Sequence, residues 1–310
     1  MNFSVIAGNA HPDLAKSLKL PLIDATVTTF PDGETQVTVH ANVRGQKVFI
    51  IQPTCAPANQ HYMELFILID ALRRASAKEI IVVLPYYGYA RQDRKDRSRA
   101  PISAKLVANL LVASGTTRVM TMDLHASQIQ GFFDIPVDHL YAAPLFVEHI
   151  KKTLPENIMI LAPDEGSIKR ASHYAKQLNC GLGFVAKRRT GPETVEAINM
   201  VGEVSGKNVI IVDDLTESAG TLIQAANLAK QNGALSVQAY VSHGVLTQKG
   251  YDRLAQDTIL DKLVVTDSTP VRAMPGKIEV ISIAPMLSRA ITHVANDMSL
   301  NALFDGDGNH

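Results

Sequence analysis

Tryptophan is absent from this chain of 310 residues, aromatics supply only 5%, and there are two cysteines, Cys55 and Cys180. So few aromatics argue against a surface that stacks unpaired bases. Two cysteines are too few for a disulfide scaffold or a zinc ribbon, and they suit a reduced, cytoplasmic setting. Charge is also scarce, at 19% against a usual share of about 25%. Thirty basic and thirty acidic residues cancel, so affinity for nucleic acid would need a local patch. No run approaches the roughly 18 apolar residues of a membrane span. The opening MNFSVIAGNAHPD lacks the basic-then-apolar layout of a signal peptide. Neither nucleic acid nor membrane is therefore expected as a partner.

What the chain has in quantity is hydrophobic residues, 46% of the total, enough to bury a sizeable core. At about 150 residues per domain the length suggests two domains, divided into residues 1–146 and 147–310 near a helical stretch that precedes Pro155. Short apolar runs at Val48–Ile51, Ile80–Leu84, Val119–Met122, Ile158–Leu161 and Val209–Val212 alternate with helix-like stretches such as Met63–Ala77. Strands apolar on both faces, with helices between, predict α/β architecture built on parallel sheets. Thr26–His40 differs, alternating on both sides of Asp32-Gly33 in the manner of a hairpin with an exposed tip. A faint repeat relates Val48–Tyr86 to Val209–His243, each running strand, loop, long helix, strand. The loops differ, which suits a duplicated fold with one active copy.

The strongest local signal is VIIVDDLTESAGTLIQAA at 209–226. An apolar strand runs into Asp213 and Asp214, passes through small residues and enters a helix. Ligands bind at the carboxyl ends of parallel strands. Ser218, Ala219, Gly220 and Thr221 are small enough for backbone amides to approach a phosphate at a helix N-terminus. The two carboxylates suit sugar hydroxyls or the water shell of a cation. A capped helix after a buried strand is the plainer alternative. Two further strands end in candidate ligands, MDLH with His125 and APDEG with Asp164. An imidazole and a carboxylate could share magnesium, which keeps several waters. Residues 91–99 carry five basic and two acidic groups, a local net of +3, and Lys187-Arg188-Arg189 precedes a loop-like Thr190-Gly191-Pro192. Either stretch could bind a polyphosphate or be a solvated face.

ARQDRKDRSRAPISAKLVANLL (90–111), MDLHASQIQGFFDIPVDHLYAAP (122–144), FPDGE (30–34), the KRR at 187–189 and VDDLTESAGT (212–221) together resemble the ribose-phosphate diphosphokinases, also called phosphoribosyl diphosphate synthetases, of the common bacterial and eukaryotic class. The resemblance runs along essentially the whole chain. It implies two tandem type I phosphoribosyltransferase-like domains and transfer of the diphosphoryl group of ATP to the 1-hydroxyl of ribose 5-phosphate. It further implies Mg2+ held by His125 and Asp164. Phe30, Asp32, Gly33 and Glu34, with Arg91 and Gln92, would bind ATP, the first group reaching into a neighbouring subunit. Asp213, Asp214, Glu217, Ser218, Ala219, Gly220 and Thr221, with Arg189, would bind ribose 5-phosphate. Lys187 and Arg189 would be catalytic, on a mobile loop. A homo-oligomer, dimer or hexamer, with phosphate and ADP as allosteric ligands, completes the implied picture. The chain departs from the family at Glu217 and Ser218 (usually Asp and Thr), Ala186 (usually Asp), Ser167 (commonly Gly) and Asn301 (usually Ser). A non-catalytic synthetase-associated subunit and a true phosphoribosyltransferase are the competing readings. The retained Lys187, Arg189, His125, Asp164 and Asp pair oppose the first, and the FPDGE loop opposes the second.

Overall fold

The computed structural model describes residues 3–153, 156–188 and 197–301, with backbone alone at 187, 188, 197 and 198. The chain divides into two compact units, one of residues up to 141 with 268–270 and 282 onward, the other of 142–267 with 271–281.

The first unit is built on β1 (Phe3–Ala7), α1 (Pro12–Ser17), the pair β2 (Ala25–Thr29) and β3 (Thr35–Val39), β4 (Lys47–Ile51), α2 (Ala58–Arg74), β5 (Glu79–Leu84), α3 (Ser103–Ser114), β6 (Arg118–Met122) and β7 (Val137–Leu140). Its main sheet has the order β1-β4-β5-β6-β7, and every pairing is parallel. Val48, Ile50, Val82 and Leu84 on the strands pack with Leu65, Leu68 and Leu72 of α2 and Leu111 of α3. The burial of these strands on both faces explains their continuous apolar runs.

The second unit comprises α4 (Ala143–Thr153), β8 (Ile158–Ala162), α5 (Ile168–Leu178), β9 (Gly181–Arg188), β10 (Ala197–Val201), β11 (Asn208–Thr216), α6 (Gly220–Gln231), β12 (Ser236–Gly244), α7 (Gln248–Gln256), β13 (Lys262–Thr266) and β14 (Ile278–Ile281). The sheet order is β10-β9-β8-β11-β12-β13-β14, parallel except at the β9–β10 edge. Strand for strand, β8-β11-β12-β13-β14 repeats β1-β4-β5-β6-β7. The antiparallel pair β9–β10 stands where β2–β3 stands in the first unit, between the first strand with its helix and the second strand.

The last helix, α8 (Ala284–Ala295), folds with the first unit rather than the second. This differs from the expected division into 1–146 and 147–310. α8 buries Met286, Leu287, Ala290 and Ile291, and Ser288 Oγ donates to Leu18 O at 2.9 Å. Lys47 then pairs with Asp297 beyond the helix. A chain-order boundary misses such a return because it reads only neighbours in sequence.

Candidate active site

β11 carries Asp213 and Asp214 within its last turn of pairing, alongside Val241 of β12. Asp214 is buried and Asp213 nearly so. One guanidinium serves both: Arg170 Nη1 on α5 lies 3.2 Å from Asp213 Oδ1 and 3.3 Å from Asp214 Oδ1. Two carboxylates facing one cation leave an excess of negative charge, which suits hydroxyl donors or a metal. Burial, and then the neighbouring Asp214 carboxylate, push Asp213 up from the usual carboxylate range, to about 7, while Arg170 and the Ser167 hydroxyl oppose the rise.

Asp164 follows β8 and caps the next turn, its Oδ1 accepting from Ser167 N at 3.0 Å and lying 3.1 Å from Ser167 Oγ. The same Oγ is 2.8 Å from Asp213 Oδ1. A hydroxyl has one proton to donate, so the buried Ser167 joins the two carboxylates through a single shared donor. The structure thus brings Asp164, Asp213 and Asp214 together through Ser167 and Arg170. Sequence reading saw Ser167 only as a departure and missed Arg170, which sits in the first turn of a polar helix with no motif around it.

Loop 217–221 follows at once. Glu217 and Thr221 are exposed and Ala219 is buried. Ala219 adopts a left-handed φ of +56° and precedes α6 with no side-chain cap. Such a conformation costs a non-glycine residue roughly 1–3 kcal/mol and concentrates at functional sites. The uncapped amides of the first turn carry the partial positive charge that draws anions.

The equivalent loop of the first unit carries a different set of bonds, although α2 also begins without a side-chain cap. Thr54 N and Thr54 Oγ1 both donate to Tyr86 O, and Gly88 N donates to Thr54 Oγ1. The buried carboxylate of Glu64 lies beneath, accepting from Asn9, Gln60 and Gln52 at 3.1–3.2 Å.

In the first unit, the β2–β3 tip is closed by Phe30 N to Glu34 O (2.8 Å), Gly33 N to Phe30 O (2.9 Å) and Glu34 N to Asp32 Oδ1 (3.1 Å). Gly33 at φ +96° supplies the turn's left-handed step. Phe30 is 44% exposed, and Asp32 and Glu34 are exposed as well. Arg91 and Gln92 are exposed. Gln92 N donates to Tyr89 O, Gln92 O accepts from Ala104 N, and Ser103 Oγ donates to Gln92 Oε1. His125 is exposed at the carboxyl end of β6, in a turn that holds Asp123 at φ +37° and fixes Leu124 N on His139 Nε2 at 2.9 Å. His125 thus belongs to the first unit and Asp164 to the second.

Lys187 does not lie on a loop: its backbone is the penultimate residue of β9, paired with Ile198 of β10. An antiparallel partner eleven residues downstream gives Lys187 strand geometry that its basic surroundings do not suggest. Arg189 lies outside the described residues. Ala186 pairs with Asn199 in the same ladder, and Asn301 N donates to Ser299 Oγ at 3.2 Å. Among the described residues no group of three or more His, Cys, Asp or Glu forms a metal cage. Cys55 is buried, and burial pushes its thiol up to about 11.

Two family profiles match the chain: the N-terminal domain of ribose phosphate pyrophosphokinase over residues 3–115, and the phosphoribosyl synthetase-associated domain over 188–305. The ribose-phosphate pyrophosphokinase of Ralstonia nicotianae is 48% identical over 308 residues, covering 97% of each chain. That of Rhizobium meliloti is 49% identical over 309 residues, covering 97% of this chain and 99% of its own. The crystal structure of phosphoribosylpyrophosphate synthetase from Mycobacterium smegmatis is similar with a TM-score of 0.90 at 39% identity, over 96% of this chain and 100% of that one.

Proposed function

The chain belongs to the ribose-phosphate pyrophosphokinase family, a diphosphotransferase that makes phosphoribosyl diphosphate from ribose 5-phosphate and ATP, and from that premise we propose how its residues divide the reaction. The observation that carries the assignment is the continuous constellation of Asp164, Ser167, Arg170, Asp213, Asp214 and the uncapped loop before α6.

The 5-phosphate sits on the amides of Ser218–Thr221 and on the exposed hydroxyl of Thr221, with Glu217 turned away from it toward a hydroxyl or cation. Asp213 and Asp214 accept hydrogen bonds from the ribose hydroxyls, and Arg189 adds a cation to the sugar phosphate. Phe30, Asp32, Gly33 and Glu34, with Arg91 and Gln92, hold ATP. The 1-hydroxyl oxygen attacks the β-phosphorus. The bond to the α,β-bridging oxygen breaks, AMP leaves, and the hydroxyl proton is lost. Charge spreads over many oxygens in such a transfer, so positioning and electrostatic stabilisation supply most of the catalysis. Lys187 and Arg189 meet that developing charge.

Asp164 keeps Oδ2 clear of the turn that its Oδ1 caps. One carboxylate and one imidazole fit an ion that takes most of its ligands from water and phosphate, as Mg2+ does. His125 and Asp164 are the residues that would hold it, and when bound it neutralises phosphate charge.

Among the described residues no helix is long and apolar enough to cross a membrane. Cys55 and Cys180 are free thiols, which suits the cytoplasm. The exposed tip at Phe30 and the exposed Leu106 and Leu110, one turn apart on α3, support a homo-oligomer, dimer or hexamer, in which a neighbour completes the adenine site. Phosphate and ADP are its candidate allosteric ligands. Sedimentation at assay concentration tests the assembly, and a fully active monomer would contradict it.

The catalytic assignment is tested at Lys187. Removing one preorganised donor to a transition state costs about 10²–10³ in turnover. Lys187→Ala should show that loss with Michaelis constants near native. Turnover within about threefold of native would remove the residue from the chemistry.

A further inference from the structure

The loop 217–221 is held from behind by α7, in a way that none of its own residues reveals. Thr247 N donates to Glu217 O at 3.1 Å. Arg253 Nη1 donates to the next carbonyl, Ser218 O, at 3.0 Å, and lies 3.4 Å from Ser218 Oγ. Two consecutive carbonyls are therefore drawn toward α7. In a trans peptide the C=O and N–H point to opposite sides of the chain. Fixing the carbonyls of Glu217 and Ser218 on α7 turns the amides of Ser218 and Ala219 away from it.

The fit is tight on both sides. A Cβ at Gly220 would stand 2.5 Å from Arg253 Nη1, and a Cβ at Gly250 would stand 2.4 Å from Glu217 O. Both glycines are needed for close approach. Arg253 is half-buried, and among the described residues no carboxylate pairs with it. Its charge is therefore directed at the loop, one peptide plane behind the surface on which an anion would rest, where solvent screens it less than a surface group.

We infer that Arg253 is a positioning residue for ribose 5-phosphate: its guanidinium sets the direction of the Ala219 amide and adds positive potential beneath the phosphate without touching the substrate. The inference rests on the reading of residues 217–221 as the 5-phosphate site. A planar guanidinium suits the task because one rigid group reaches both the carbonyl and the hydroxyl of Ser218, which an ammonium does less well. A brace that only tied α7 to the loop would instead affect folding and leave substrate affinity alone.

Steady-state kinetics on full-length Arg253→Met, Arg253→Lys and Thr221→Val separate these outcomes. Arg253→Met keeps the packed stem and removes the donor and charge. The Michaelis constant for ribose 5-phosphate should rise about tenfold, the scale of one hydrogen bond involving a charged group. Turnover and the ATP constant should stay within about twofold. Arg253→Lys should recover part of the loss. If Arg253→Met does not fold, Arg253→Lys decides alone: a rise of about threefold or more supports the inference, and an unchanged constant overturns it. Thr221→Val checks the loop itself. An unchanged constant there would overturn the phosphate reading and the inference with it. A raised constant for Thr221→Val, with native values in the folded Arg253 variants, would overturn the role of Arg253 alone.

Discussion

Asp213 is the residue whose chemistry the fold alters most. Its carboxyl is raised from 3.8 to about 7 by burial and by Asp214. Between those values the folded chain holds a proton that the unfolded chain has released, so this group's contribution to stability declines as pH rises through the window. Asn in its place stays neutral throughout. In metal-free buffer, Asp213→Asn should therefore gain in melting temperature relative to the native chain as pH is raised from about 4 to about 7. A difference that is flat with pH would show that Asp213 titrates normally. Asp213 and Asp214 could be picked out in the sequence because two carboxylates directly after an apolar run break a local pattern. Arg170 and Arg253 could not. Their partners lie 43 and 35 residues away in the chain, and a lone arginine on a polar helix looks the same whether it faces water or a buried site.

At the scale of the element, the two antiparallel pairs show what local pattern can and cannot convey. β2–β3 was readable because five residues alternate on each side of a Pro-Asp-Gly turn. β9–β10 was not, because Lys187-Arg188-Arg189 runs directly into Thr190-Gly191-Pro192, a turn signal that made Lys187 look like loop. The β2–β3 pair is tied to its unit by a polar network that runs from the exposed Asn9 to the buried Glu64. Asn9 Nδ2 donates to Val27 O at 3.1 Å and to Glu64 Oε1 at 3.2 Å, and Glu64 Oε2 accepts from Gln52. Replacing Glu64 by leucine takes away the carboxylate that accepts from the buried Gln52 amide, at about 1–3 kcal/mol, while the exposed Asn9 and Gln60 can turn to water. Glu64→Leu should lower the denaturant midpoint markedly, with Glu64→Gln intermediate. The ATP constant should rise more than that for ribose 5-phosphate, because the network holds the Phe30–Glu34 tip. Equal stability in the leucine variant would show that the network contributes nothing.

At the scale of the molecule, the chain is one α/β plan used twice. The strand runs and the repeat were visible in sequence because parallel strands covered on both faces must be apolar throughout. The return of α8 to the first unit was not, since nothing in an amphipathic helix states which sheet it will cover. Duplication places a β-strand–loop–helix junction in each unit, one carrying the Thr54, Tyr86 and Gly88 bonds and the other the Asp213–Asp214 pair and the left-handed Ala219. The same insertion point carries an exposed tip in one unit and the Lys187 strand in the other. The central claim is that these parts move a diphosphoryl group as a unit from ATP to carbon 1 of ribose 5-phosphate. Phosphorus NMR of the native chain with ATP, ribose 5-phosphate and magnesium reads this directly. The account predicts resonances of AMP and of a diphosphate on the ribose growing in equal amounts, with none when ribose 5-phosphate is withheld. ADP as the nucleotide product, or ATP consumption that does not depend on the sugar phosphate, would contradict it.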